Sequence, residues 1–235
     1  MNLRPAPPWH QKGFSLIEMA IVLVIVAVLL AGLLPTISGQ MEQQRRAETR
    51  KQLEEIRAAL IGYAATQTPP RLPCPAKPTL ATGTTGAGVA DCTITPTRTG
   101  VLPWVTLGTN ETDAWGRRFT YTVAYSGGGD FATSFTLSST GNLNVLSTST
   151  GVCPNVGCVG SNIPAVIISH GPNGLGAYTP QGTKLPNSTD TGEQTNYAGG
   201  ITFVSQDPSA TYDDLVVWVS PNTLFNRMVS AGKLP

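Results

Sequence analysis

Residues 12–35 read KGFSLIEMAIVLVIVAVLLAGLLP, and this run decides how the rest of the chain is read. Between positions 14 and 34 only Ser15, Glu18 and Gly32 interrupt the apolar side chains. About 20 such residues are what a helix needs to cross a bilayer. A secretory signal has a shorter apolar core, about 7–15 residues, followed by a small-residue cleavage site. Here the run is longer, and the following PTISGQ at 35–40 is a poor site of that kind. The run is therefore expected to be kept as a membrane helix. Arg4 and Lys12 before it predict a cytoplasmic N-terminus, although Arg45, Arg46, Arg50 and Lys51 beyond it pull the other way.

Glu18 is the residue in this run that needs a reason. A carboxylate at membrane depth costs about 2.5–3.5 kcal/mol on the lenient insertion scale, so such groups have partners. Cutting the chain after Gly13 would make Phe14 the new N-terminus, four residues before the acid. The amine and the carboxylate would then pair, within one chain or between copies.

Gly13-Phe14-Ser15-Leu16-Ile17-Glu18 followed by a long apolar helix resembles the N-terminal signature of type IV pilins and type II secretion pseudopilins. The resemblance implies that a prepilin peptidase cuts after Gly13 and methylates Phe14. It implies that Glu18 serves methylation and assembly by meeting a neighbour's terminal amine, and that Pro35 kinks the helix. It also implies partnership with other pilin or pseudopilin subunits and with the inner membrane, the head lying in the periplasm.

Beyond Pro35 the stretch 40–66 reads as a second helical half. Leu53, Ile56, Leu60 and Tyr63 recur at the spacing of one buried face, with Glu, Gln, Arg and Lys elsewhere. Pro69-Pro70 ends it, because the residue before a proline avoids helical geometry. The remainder is rich in Gly, Thr, Ser, Pro and Asn, which predicts a β-rich, loop-rich head. Strands are expected at 119–125 and 131–137, joined as a hairpin by SGGGD at 126–130, and again at 165–169 and 215–219. A short helix is expected from Pro221 to its stop at Gly232. The fold class is α+β: a long N-terminal helix packed on an antiparallel sheet. The organisation is a leader at 1–13, a membrane and assembly helix at 14–35, a linker helix at 36–68 and a head at 69–235.

Four cysteines allow three disulfide pairings. Loop lengths favour Cys74 with Cys92 and Cys153 with Cys158, which places the head in an oxidising compartment. Zinc fits less well, because no Cys-x2-Cys knuckle occurs and His170 is far from any cysteine in sequence.

Two head segments extend the resemblance. Asp113-Ala114-Trp115-Gly116, with Phe119 and Tyr121 following, is similar to a motif of major pseudopilins. Residues 168–177, ISHGPNGLGA, and the later Asp207, Asp213 and Asp214 are similar to the region where those proteins bind calcium. The resemblance implies calcium on these three acids as hard oxygen ligands. The pattern departs from the family where Pro208 follows Asp207 and where long insertions separate the pieces.

The 235 residues carry a formal charge of +1, so nothing electrostatic suggests nucleic acid. Histidine occurs only at His10 and His170, and no nucleophile elbow, Walker loop or zinc-protease motif is present. The expectation is a structural subunit and not an enzyme, assembled into a secretion pseudopilus or a type IV pilus. The alternative is a membrane-tethered periplasmic binding or adhesive domain that forms no filament.

Overall fold

The structure is a computed structural model that describes residues 15–93, 98–125 and 130–235, with 30–38 described by backbone alone. The chain divides into two compact units, Met1–Gln44 and Arg45–Pro235. One helix, α1 (Leu16–Thr66), supplies residues to both. In the first unit no described residue is buried, and the apolar side chains from Leu16 to Leu29 face outward. Among the described residues no helix is long and apolar enough to cross a membrane. The run singled out in the sequence continues into 30–38, whose side chains lie outside the described residues, as do Gly13 and Phe14 and the side chain of Pro35 with its expected kink.

In the second unit α1 presents Thr49, Leu53, Ile56, Leu60 and Ala64 as one buried stripe. Their spacing of three and four residues keeps them on one helical face. Tyr63, expected on that face, is only half-buried. The stripe packs into a core with Phe119, Tyr121, Val123 and Ile167. The helix ends at Thr66, shortly before Pro69 and Pro70, as proline geometry requires.

The core sheet contains β1 (Thr99–Val101), β2 (Thr120–Val123), β5 (Ala165–Ser169) and β7 (Leu215–Val219) in the order β1-β2-β5-β7. Every neighbouring pair in it is antiparallel. All five residues of β5 are buried, which fits a central strand reading as a continuous apolar run. A smaller sheet holds β4 (Cys158–Ile163), β3 (Leu143–Leu146) and β6 (Thr202–Val204), and there β3 and β6 run parallel. The helices of the head are α2 (Trp104–Leu107), α3 (Thr191–Tyr197) and α4 (Pro221–Ser230). Gly232 adopts a φ of +65°, the conformation that ends a helix.

The hairpin expected from 119–137 does not form. β2 pairs with β1 on one side and β5 on the other, so it has no edge left for residues 131–137. That segment turns inward instead. Phe131 and Phe135 stack with centroids 5.1 Å apart, and Phe225 of α4 packs on both. The aromatic spacing that looked like strand alternation is a core cluster on a turn. Residues 126–129 lie outside the described residues.

Disulfides join Cys74 to Cys92 and Cys153 to Cys158. Arg118 organises the loops nearby. It is fully buried, and its guanidinium donates to Glu111, Thr82 and the carbonyls of Pro78, Leu80 and Pro180 while lying 4.7 Å from the Trp104 ring.

Candidate functional site

The first candidate lies at the start of α1. The Glu18 carboxylate accepts the Ser15 backbone N–H at 2.8 Å, and the Ser15 hydroxyl accepts the Glu18 N–H at 3.2 Å. This reciprocal pair is a capping box, which satisfies two of the backbone donors a helix start leaves open. Serine followed three residues later by glutamate is the sequence sign of such a box, so Ser15 was legible as Glu18's partner. The carboxylate that looks unaccompanied in the apolar run has a partner within its own chain.

The second candidate is a polar cluster in the head, assembled by β5, the turn after it, α3 and the residues leading into β7. Asp113 is buried and accepts the N–H groups of Trp115 and Arg117, each at 3.0 Å, and the Ser169 hydroxyl at 2.7 Å. It thus fixes the turn around Gly116, whose φ is +79°, to the end of β5. Trp115 packs against the core from that turn. Arg117 then donates to the Gly171 carbonyl. The turn at 170–177 sits close against its neighbours. A side chain at Gly171 would strike Asp213 at 2.4 Å, and one at Gly174 would strike the Arg117 guanidinium at 2.0 Å. The glycines of this motif make room for packing; none of them heads a phosphate-binding helix.

His170 is fully buried, with Nε2 at 2.8 Å from the Thr120 hydroxyl and Nδ1 at 3.3 Å from Asp214 Oδ1. The second contact lacks hydrogen-bond geometry. A hydroxyl, an imidazole and a carboxylate in line have the connectivity of a nucleophile relay. Thr120 lies inside the core sheet and is itself buried, so this row is a polar tie across β2 and β5.

Of the three acids expected to act together, Asp213 and Asp214 are adjacent in the cluster, whereas Asp207 is exposed. Asp207 lies on the rim of a cleft of about 550 Å³ that Asp214 also lines, with Arg50 and Glu54 of α1. The third member of the cluster is Glu193, and one oxygen from each of Glu193, Asp213 and Asp214 lies within 4.8 Å of the others. Asp190 caps α3 by accepting the N–H groups of Gly192 and Glu193, at 2.8 and 3.2 Å, and this fixes where Glu193 points. The spacing Asp190 to Glu193 is that of a capping box, but the box is not closed. The Asp190 N–H donates to Ser188, and the Glu193 side chain turns inward to accept the Asp213 N–H at 2.9 Å and the Asn173 amide at 3.0 Å. The helix-start spacing marks Glu193 as a local cap; only the fold brings it to Asp213.

The cluster is electrically crowded. Burial pushes the Asp213 carboxyl up to about 6, and the neighbouring Glu193 and Asp214 charges add to the rise, against the Asn173 N–H and Arg46. Tyr212 is held well above its ordinary range by burial and by Asp214, and its hydroxyl donates to the Val204 carbonyl at 2.6 Å. Three carboxylates at this spacing, all offering hard oxygen, fit a divalent cation of the calcium type.

Residues 10–34 match the family model described as the prokaryotic N-terminal methylation motif. The match spans the Gly13-Phe14 junction and Glu18, so the chain carries the prepilin-type signature. That signature marks pilin-like structural subunits and implies prepilin-peptidase processing, membrane anchoring and assembly with other subunits. The head, with its Asp113-to-Gly116 motif, falls outside the match. No curated protein and no solved structure matches the chain.

Proposed function

We propose that this chain is a filament subunit of a type II secretion pseudopilus or a type IV pilus. A prepilin peptidase cuts it after Gly13 and methylates Phe14, and the helix from 14 to 35 holds it in the inner membrane until it assembles. The observation that carries the reading is the methylation motif at 10–34, which includes an apolar helical stretch whose described side chains are exposed from Leu16 to Leu29. An apolar helical surface of this kind needs lipid or neighbouring helices around it. In the membrane that surrounding is lipid; in a filament it is the same helix of other copies. Pro35 bends the helix where the apolar run ends, and Glu18 sets the register by pairing with a neighbour's terminal amine.

Mass spectrometry of the N-terminus from the native membrane is the direct test. A chain beginning at N-methylated Phe14 is expected; an intact Met1 or Asn2 terminus would leave a tethered binding or adhesive domain as the better account. Glu18→Ala then tests assembly. The variant should be cleaved and membrane-bound yet missing from sheared filaments, and normal incorporation would remove Glu18 from the assembly mechanism.

A further inference from the structure

We infer that the outer edge of β7 is a strand-acceptor site, taking an extended, β-branched and basic segment of another protein as a further strand of the core sheet. The inference concerns only the head and stands whether or not the chain forms a filament.

Among the described residues the two sheets end in four edge strands, β1, β7, β4 and β6. An edge bares backbone N–H and C=O groups, and proteins ordinarily blunt it with a covering chain, a bulge, a proline or a charge. Three of these edges are blunted. Beyond β1, Ala76 exchanges two backbone hydrogen bonds with Val101, at 2.8 and 3.1 Å. On β6 the Asn196 amide stands in for a strand, donating to the Val204 carbonyl at 3.0 Å and accepting its N–H at 2.7 Å. β4 is broken by two shifts in its register with β3 and by Asn162, whose φ is +56°.

β7 has none of these devices. Its sequence, Leu215-Val216-Val217-Trp218-Val219, contains no proline, glycine or charge, and all five residues pair with β5 without a shift. No other described segment makes a backbone hydrogen bond to it. The edge is also reachable. Successive strand residues point to opposite faces, so the cleft that touches Leu215, Val216 and Val217 in a row lies along the edge itself. A second cleft, of about 460 Å³, continues past Trp218 and Ser220.

The walls of the first cleft decide the occupant. Arg50 and Glu54 of α1 and Asp207 of the chain after β6 line it, so the edge is recessed. In a second copy β7 is recessed in the same way, and two such edges do not meet; a single extended segment enters. Glu54 is paired with Arg57, which leaves Asp207 and Asp214 against Arg50 in the lining, with Asp213 and Glu193 beside Asp214. That excess of carboxylate favours a cation on the incoming segment. Main-chain bonds give an added strand its affinity, and its alternate side chains give specificity.

The test uses the full-length chain in detergent micelles and a fluorescein-labelled peptide, Lys-Val-Thr-Val-Lys-Val-Thr, followed by fluorescence polarisation. Two further peptides are N-methylated, one at its valines and the other at its lysines and threonines. An added strand bonds through every second residue, so one of the two should lose about tenfold or more in affinity and the other should keep it. Hydrogen exchange should slow at 215–219 when the unmethylated peptide is added. Asp207→Asn, a change at an exposed side chain, should weaken binding about threefold. Absence of binding, equal behaviour of the two methylated peptides, or protection at 158–163 in place of 215–219 overturns the site. An unchanged Kd in Asp207→Asn overturns the basic occupant. Protection of 215–219 that rises with protein concentration in the absence of peptide makes a second copy the occupant and overturns the inference.

Discussion

Arg118 is the residue on which the loops around the disulfide of Cys74 and Cys92 depend. Its five N–H donors meet two carbonyls of the loop at 78–80, the carbonyl of Pro180, the Thr82 hydroxyl and Glu111. A buried guanidinium is tolerated only when it is this fully paired. Arg118→Met should therefore cost about 3 kcal/mol in urea unfolding, mostly from the carboxylate and carbonyls left behind. Lysine should not rescue it, because one ammonium cannot reproduce the planar fork. Asp91 offers a pH test on the same loop. Lys77 at 2.8 Å, together with the Thr93 hydroxyl and N–H, holds its carboxyl down at about 2. A carboxyl lowered by folding stabilises the folded state above its ordinary pKa, and that contribution fades as pH falls through about 2. A ¹³C titration of the Asp91 carboxyl should show the low midpoint, and Lys77→Met should move it up towards the ordinary range. An unchanged midpoint in that variant would assign the shift to Thr93 alone.

Among the elements, the head half of α1 is where sequence and structure agree most closely. Leu53, Ile56 and Leu60 were legible as one face because helical periodicity survives whatever surrounds it. Leu60→Ala should cost about 3 kcal/mol by denaturant titration, the range for an aliphatic side chain removed from a packed core. A loss under about 1 kcal/mol would mean that the stripe is not the helix's anchor to the sheet. The strands β5 and β7 were equally legible, as short apolar runs between turn residues. The hairpin was not, and the reason is physical. Alternating aromatics report that a segment is half-buried, while pairing depends on which strand edges are free. The edges of β2 are taken by β1 and β5, which lie far from it in sequence. Glu193 escaped notice for a related cause, since a helix-start acid has an ordinary local use until the fold supplies Asp213.

Over the whole molecule, function is written at the N-terminus and stability in the head. The signature at 10–34 is local, so it can be read without a fold; the head's polar cluster draws on four separated segments and cannot be. The disulfides belong to this scale too, since they act on the unfolded chain. By loop entropy the bond closing 18 residues, Cys74 to Cys92, contributes about 3 kcal/mol and the one closing 5, Cys153 to Cys158, about 2 kcal/mol. Paired Cys→Ser variants compared by urea unfolding should rank in that order, and a reversed ranking would place the dominant effect in native packing.

The boundary after Gln44 has a consequence for how such a chain can change. Among the described residues, every buried one lies on the far side of it, from Thr49 onward, and none of the first unit is buried. The two parts therefore answer to different selective demands. The first must suit the copies and lipids around it, while the second must satisfy only its own interior. Such a division favours recombination: one helical stem could pass from head to head by exchange of gene segments, each new pairing inheriting a working assembly signal and an already folded surface.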